Sequence, residues 1–184
     1  MNKITIVFLL FVWAGITAGV KARDLTVGDV PPDNIGHTLE GERVKISDHK
    51  GKVVIVSFWA TWCPPCMEEI PILNAIQQQV SDDRLKVLSV NFQQDKRTVR
   101  KYAKHLEKYF DEVHLTFLYE KDNGISAKFG VDRLPYMFMI DHTGRIAHIH
   151  IGYSKETIPS LVEEINALLQ EQQKDHLYDT NSIS

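Results

Sequence analysis

The 184-residue chain has only two cysteines, Cys63 and Cys66, too few for a disulfide scaffold and, by themselves, for a four-thiolate zinc site. It has no glycine-rich phosphate loop, dinucleotide fingerprint or haem-attachment motif, so nothing anchors nucleotide or haem chemistry and no cofactor is expected. Internal repeats and low-complexity tracts are absent. Charge of one sign is scarce too: a formal net charge of −3 gives no general field toward nucleic acid, and none is expected as a partner. What is present is globular, with 43% hydrophobic, 24% charged and 9% aromatic residues, at a length that suits one domain.

The only long apolar run, Ile4 to Val20, follows Met1-Asn2-Lys3 and precedes Lys21-Ala22. Its 17 residues sit at the lower limit for a bilayer-spanning helix, and a basic start before an apolar core fits an export signal. Val20 and Ala22 suit the −3 and −1 positions of a cut after Ala22, with Thr17-Ala18-Gly19 as a nearby alternative. That cut removes Lys3 and Lys21 and takes the formal charge from −3 to −5. An uncleaved signal anchor is the competing outcome. Either one places the domain outside the cytoplasm, periplasmic or otherwise extracytoplasmic. Residues 1–22 are therefore read as the signal, 23–172 as one domain and 173–184 as a polar tail.

Residues 23–52 are polar and rich in turn formers, with alternation only at Arg43 to Ile46, and predict a small leading hairpin. Val53 to Trp59 is a β-branched and aromatic run that predicts a strand buried on both faces, the central one of its sheet. Helical character runs from Met67 to Val80, with a kink predicted at Pro71. A strand over Leu85 to Phe92 precedes an amphipathic helix over Lys96 to Phe110, with Val99, Tyr102, Ala103, Leu106 and Phe110 on one stripe. Leu115 to Tyr119 predicts a short strand, and Ile125 to Phe129 a short helix closed by Gly130. Tyr136 to Ile140 and Arg145 to Ile151 flank a turn at Asp141-His142-Thr143-Gly144 and predict adjacent antiparallel strands. The last helix is predicted from Thr157 to Gln172, with Ile158, Leu161, Val162, Ile165, Leu168 and Leu169 on one face. Strands separated by helices and closed by a hairpin and helix imply an α/β sandwich with a mixed sheet.

Trp62-Cys63-Pro64-Pro65-Cys66 joins the buried strand to the following helix. A helix N-terminus carries partial positive charge, so a thiolate at Cys63 is stabilised and its pKa is expected below the ordinary value of about 8.5. Cys63 is the predicted nucleophile. Cys66, one turn into the helix, is shielded and suits the resolving thiol. The alternative, a structural staple, contributes little, because a four-residue loop removes little chain entropy. Pro64 and Pro65 have no N–H to offer a sulfur anion, which leaves Cys66 N–H and S–H as the main local donors. That predicts a moderate pKa depression and a middling to reducing potential.

Trp62 to Cys66, followed by Met67-Glu68-Glu69-Ile70-Pro71 and, downstream, Leu134-Pro135, resembles the TlpA/ResA/DsbE type of thioredoxin-fold thiol-disulfide oxidoreductase. The resemblance runs from about Val27 to Leu169. It implies a thioredoxin fold, a central mixed sheet flanked by helices, with an N-terminal hairpin extension and an inserted helix and strand at about Gln94 to Lys121. It also implies that Pro135 is a cis-proline facing the disulfide, an ordinary trans proline being the alternative. Glu69 matches the acidic residue that such proteins keep near the thiols, and it is an expected catalytic group. Glu68 and Glu69 are otherwise read as surface acids near a helix N-terminus. Plain thioredoxins place an aspartate six residues before the first cysteine, where this chain has Ser57. Trp62, Pro64, Pro65, Leu134, Pro135 and Tyr136 are the expected substrate-facing residues. The Tyr136 ring is expected to narrow or line the peptide groove.

Lys96, Arg97, Arg100, Lys101, Lys104 and Lys108 read as the solvated face of one helix, with docking of an acidic partner as the alternative. His142, His148 and His150 lack a third fixed ligand, and no metal site is expected. The resulting expectation is an exported, monomeric reductant of protein disulfides. The resemblance implies apocytochrome c cysteines as substrate and a membrane thiol carrier as electron donor. An oxidase or isomerase, or a protein holding Cu(I) between Cys63, Cys66 and a histidine, are the competing readings.

Overall fold

The computed structural model describes residues 24–120 and 124–182, so the predicted export segment lies outside the described residues. Asn34–Thr38 (β1) and Arg43–Lys45 (β2) pair as the leading antiparallel hairpin. After a 3-10 turn at Ile46–His49 come β3 (Val53–Trp59), α1 (Pro64–Gln79), β4 (Leu85–Asn91), α2 (Lys96–Leu106) and β5 (Thr116–Tyr119). Then follow α3 (Gly124–Lys128), the antiparallel pair β6 (Tyr136–Ile140) and β7 (Ile146–Ile151), and α4 (Ile158–Ser182).

The strands form one mixed sheet in the order β2-β1-β5-β4-β3-β6-β7. β3, β4 and β5 run parallel, while β1 and β6 flank them antiparallel. All seven residues of β3 are buried, Ser57 among them, as its nearly continuous apolar run requires. β3 nevertheless lies one place off the middle, which β4 occupies. The inserted strand β5 adds a member to one side, and the sequence of β3 carries no record of how many neighbours that side has.

Alternation along β3 sends Val53, Ile55 and Trp59 into one core and Val54, Val56 and Phe58 into another. The first core lies under α1, α2 and α4, through Ile70 and Leu73, Val99 and Leu106, and Leu161, Ile165 and Leu168. The second is closed by Ile125 and Phe129 at α3 and by Ile46. Each full burial of a Val, Ile or Phe contributes about 1.5–3 kcal/mol, which is why two such layers suffice for a domain of this size. Gly36 in β1 is required where it stands: its φ is 126°, and a Cβ there would lie 2.9 Å from the Tyr119 carbonyl oxygen of β5.

Three helices depart from their sequence-based bounds. α2 ends at Leu106, short of Phe110, because the chain tightens there into i→i+3 turns, with Lys108 and Tyr109 N–H donating to the His105 and Leu106 carbonyls. α1 begins at Pro64, three residues before Met67, because prolines at the first two helical positions lose no hydrogen bond. It continues past Pro71 to Gln79. α4 runs on through the predicted tail to Ser182. The apolar stripe does end near Gln172, whose side-chain amide donates to the Gly51 and Arg84 carbonyls. Residues 173–182 contain no glycine or proline to stop the helix, and Asp175 meets His142 at 2.9 Å. Among the described residues, no helix is long and apolar enough to cross a membrane.

Candidate active site

The thiol pair sits where β3 gives way to α1. Cys63 is the N-cap of α1, in extended conformation, with Pro64 and Pro65 as the first helical residues. Cys63 N–H donates to the Ala60 carbonyl at 3.1 Å, closing the turn. The sulfurs are bonded at 2.09 Å, with the Cα atoms 5.3 Å apart. Cys66 N–H donates to Cys63 Sγ at 3.3 Å. The first turn of α1 holds no acidic residue to offset the positive helix end that faces this sulfur. Cys66 is fully buried and Cys63 retains 4% exposure, so what access the pair has belongs to Cys63.

The loop holding the pair is clamped from outside. Gln94 accepts from Thr61 N–H at 2.8 Å and donates to Thr61 Oγ1 at 2.7 Å. Asn91 Nδ2 in turn donates to Gln94 Oε1 at 3.0 Å. Gln93 takes a φ of 56° to deliver Gln94, a left-handed conformation uncommon outside glycine. This clamp has no sequence motif; only the polar Gln93-Gln94 pair at the end of a buried strand hints at it.

Glu68 and Glu69 part company. Glu68 is exposed, 3.9 Å from Lys155 Nζ, while Glu69 is 2% exposed. Ser57 Oγ donates to Glu69 Oε2 at 2.8 Å. Burial pushes the Glu69 carboxyl up from 4.5 to about 7, opposed by the Ser57 hydrogen bond, which favours the carboxylate. Glu69 lies three residues after Cys66, one helical turn on, so both residues face the sheet. Ser57 thus occupies the thioredoxin aspartate position as a donor to a carboxylate on the helix. Ser57→Ala removes the group that holds the Glu69 proton affinity down. It is expected to raise the pH midpoint of the Glu69-dependent step by roughly half to one pH unit, read from a pH–rate profile of disulfide exchange.

The Leu134–Pro135 peptide is cis. Leu134 packs against the core that contains both cysteines, and the buried Pro135 accepts through its carbonyl from Gly152 N–H at 2.9 Å. Trp62 is 61% exposed beside the pair, Pro64 is exposed and Pro65 is half-buried. The Tyr136 ring is not brought to the disulfide side. It stacks on Phe138 at 5.0 Å in the opposite core, because strand alternation sends Met137, not Tyr136, toward α1. Trp59 is core, packed between Tyr102 and Phe117. His148 and His150 both approach Glu164 Oε2, at 3.8 and 2.6 Å. Among the described residues no group of three or more histidine, cysteine or acidic side chains is arranged to hold a metal.

A mixed sheet with an N-capping cysteine, a second cysteine one turn on and a cis-proline packed beside the same core defines a thioredoxin-fold thiol-disulfide oxidoreductase. A sequence profile of the family described as Redoxin matches residues 17–169. The chain belongs to that family, in its TlpA/ResA/DsbE-like branch. It is 38% identical over 138 residues to the thioredoxin-like protein YneN of Bacillus subtilis (strain 168), covering 74% of this chain and 78% of the relative. It is 32% identical over 144 residues to the thiol-disulfide oxidoreductase ResA of Geobacillus thermodenitrificans (strain NG80-2), covering 77% and 79%. A crystal structure of a putative thiol:disulfide interchange protein DsbE from Chlorobium tepidum superposes with a TM-score of 0.69 at 28% identity, covering 79% of this chain and 99% of that one.

Proposed function

We propose that this protein is exported and works as a reductant of protein disulfides, with cysteine pairs of the apocytochrome c type as substrates. The Cys63 thiolate attacks one sulfur of the substrate cystine, forming a mixed disulfide and releasing the other sulfur as a thiolate. Cys66, giving its proton to Glu69, attacks Cys63 Sγ, re-forms the internal disulfide and releases the second substrate thiolate. Two electrons pass to the substrate. A membrane dithiol carrier returns two electrons to the Cys63–Cys66 disulfide. Exposed Trp62 and Pro64, with Pro65, Leu134 and the Pro135 backbone, provide the surface for the substrate chain.

The observation that carries the reductive direction is the single N–H, from Cys66, that reaches Cys63 Sγ. Two prolines withhold the other donors of the first turn, so the thiolate gains less stabilisation than in a strong oxidant. Export rests on the apolar segment at residues 4–20; the relatives named for disulfide chemistry support disulfides as the substrate, and the apocytochrome c type rests on the sequence resemblance alone. Equilibration with dithiothreitol or glutathione buffers, followed by thiol alkylation, tests the direction. The expected potential is more reducing than about −200 mV, and a value near the −120 mV of strong oxidants overturns the reading.

A further inference from the structure

Helix α2 carries Lys96, Arg97, Arg100, Lys101 and Lys104 and no acidic residue, in a chain whose formal charge is −3. Its inner stripe, Val99, Ala103 and Leu106, is spent on the core. Lys101 and Lys104 are exposed, as is Lys108 in the turn that follows, and the spacing of three and four residues sets all three on one face. Among the described residues none of the three forms an ion pair. Arg100, by contrast, is tied to the Leu39 carbonyl, and Lys96 lies over the Tyr119 ring. Like charges at this spacing oppose the helix that carries them, so folding alone does not account for the cluster.

The position of this face matters more than its charge. A groove of about 630 Å³ is lined by Lys101, Lys104, His105 and Lys108, contains half-buried Tyr102, and reaches Thr61. Thr61 is two residues before Cys63 and is the residue that Gln94, just before α2, clamps. Trp62, the exposed aromatic of the thiol loop, adjoins it in the chain. The basic groove therefore opens onto the loop that presents the nucleophile.

Resting on the disulfide-exchange reading, we propose that this groove docks an acidic segment of the substrate polypeptide flanking its cystine, so that the preferred substrates carry carboxylates beside the reacting sulfurs. Charge complementarity of this kind acts on the encounter rate and on the choice among partners. The helix belongs, with β5, to the inserted segment that follows β4, which makes the insert the substrate-selecting part of the molecule.

The test uses the pre-reduced protein and two synthetic peptides with the same internal cystine, one flanked by glutamates and the other by lysines. In each reaction the protein dithiol becomes a disulfide and the peptide cystine becomes two thiols. At low salt the glutamate-flanked peptide is expected to react about tenfold faster, with the ratio falling toward one at 0.5 M NaCl. Combining Lys101→Glu, Lys104→Glu and Lys108→Glu is expected to invert the order. Combining Lys50→Glu, Lys128→Glu and Lys174→Glu, an equal charge change away from the groove, is expected to keep the original ratio. A ratio is insensitive to the fraction of folded protein, so a weakened variant still reports. Equal rates for both peptides in the unmodified protein, or the same ratio in both triple variants, overturn the docking surface and leave the reductase intact. Failure to reduce either peptide overturns both.

Discussion

Cys66→Ser is expected to stop the protein after its first chemical step, with substrate held on Cys63 through a mixed disulfide that survives acid quenching and non-reducing electrophoresis. The burial of Cys66 and its N–H contact with Cys63 Sγ put the resolving sulfur on the protected side of the bond it must break. Serine there keeps the N–H and the helix but has no sulfur with which to displace the substrate. Cys63→Ser removes the only thiol with any exposure, and turnover is expected to fall by about a thousandfold or more, as when a covalent nucleophile is lost. Intact mass spectrometry of the Cys66→Ser protein after incubation with a cystine peptide reads the outcome directly. A trapped peptide on Cys63 supports the order of attack, whereas full turnover by Cys63→Ser would reverse the assignment of the two thiols.

Glu69→Gln is expected to act on both rate and stability, with opposite signs. A carboxyl with pKa about 7 accepts and returns a proton near neutral pH, and losing it is expected to slow the resolving step about tenfold to a hundredfold and flatten its pH profile between 6 and 8. For stability, the folded protein holds the Glu69 proton up to about pH 7, while the unfolded chain releases it near 4.5. The stabilisation from this group is thus complete below about pH 4.5 and is lost as pH rises through 7. The gap corresponds to about 3 kcal/mol at most. Glutamine carries no such dependence. Thermal melts of both proteins from pH 5 to 8 are expected to show the Tm difference moving in favour of the variant as pH rises; parallel curves would mean that Glu69 titrates as an ordinary surface acid.

Much of the fold and of the site is legible in the sequence, for physical reasons. β3 was readable because seven consecutive buried residues must be apolar or small, and α2 because a one-sided stripe has a single packing solution. The thiol pair was readable because its chemistry demands its spacing. The Ser57–Glu69 contact was not, since a strand residue and a helix residue meet there only through the crossover, and the sequence showed Ser57 only as a missing aspartate. The place of Tyr136 after Pro135 points to the groove, but the pleat of β6 decides its face and turns the ring to the opposite core. The apolar stripe ends near Gln172 and predicts a tail beyond it, yet a helix without a breaker continues past the last residue it buries.

The pairing of β1 with β5 ties the start of the domain to its middle. Beyond its own partner β2, the leading hairpin is held in the sheet only by Tyr119 and Leu118, which lie across from His37 and Thr38. Between the two strands the chain runs through β3, α1, β4 and α2, so this short ladder closes a long loop and carries a larger entropy cost than a local hairpin does. The edge of the sheet at β1 and β2 therefore depends on β5 staying in place.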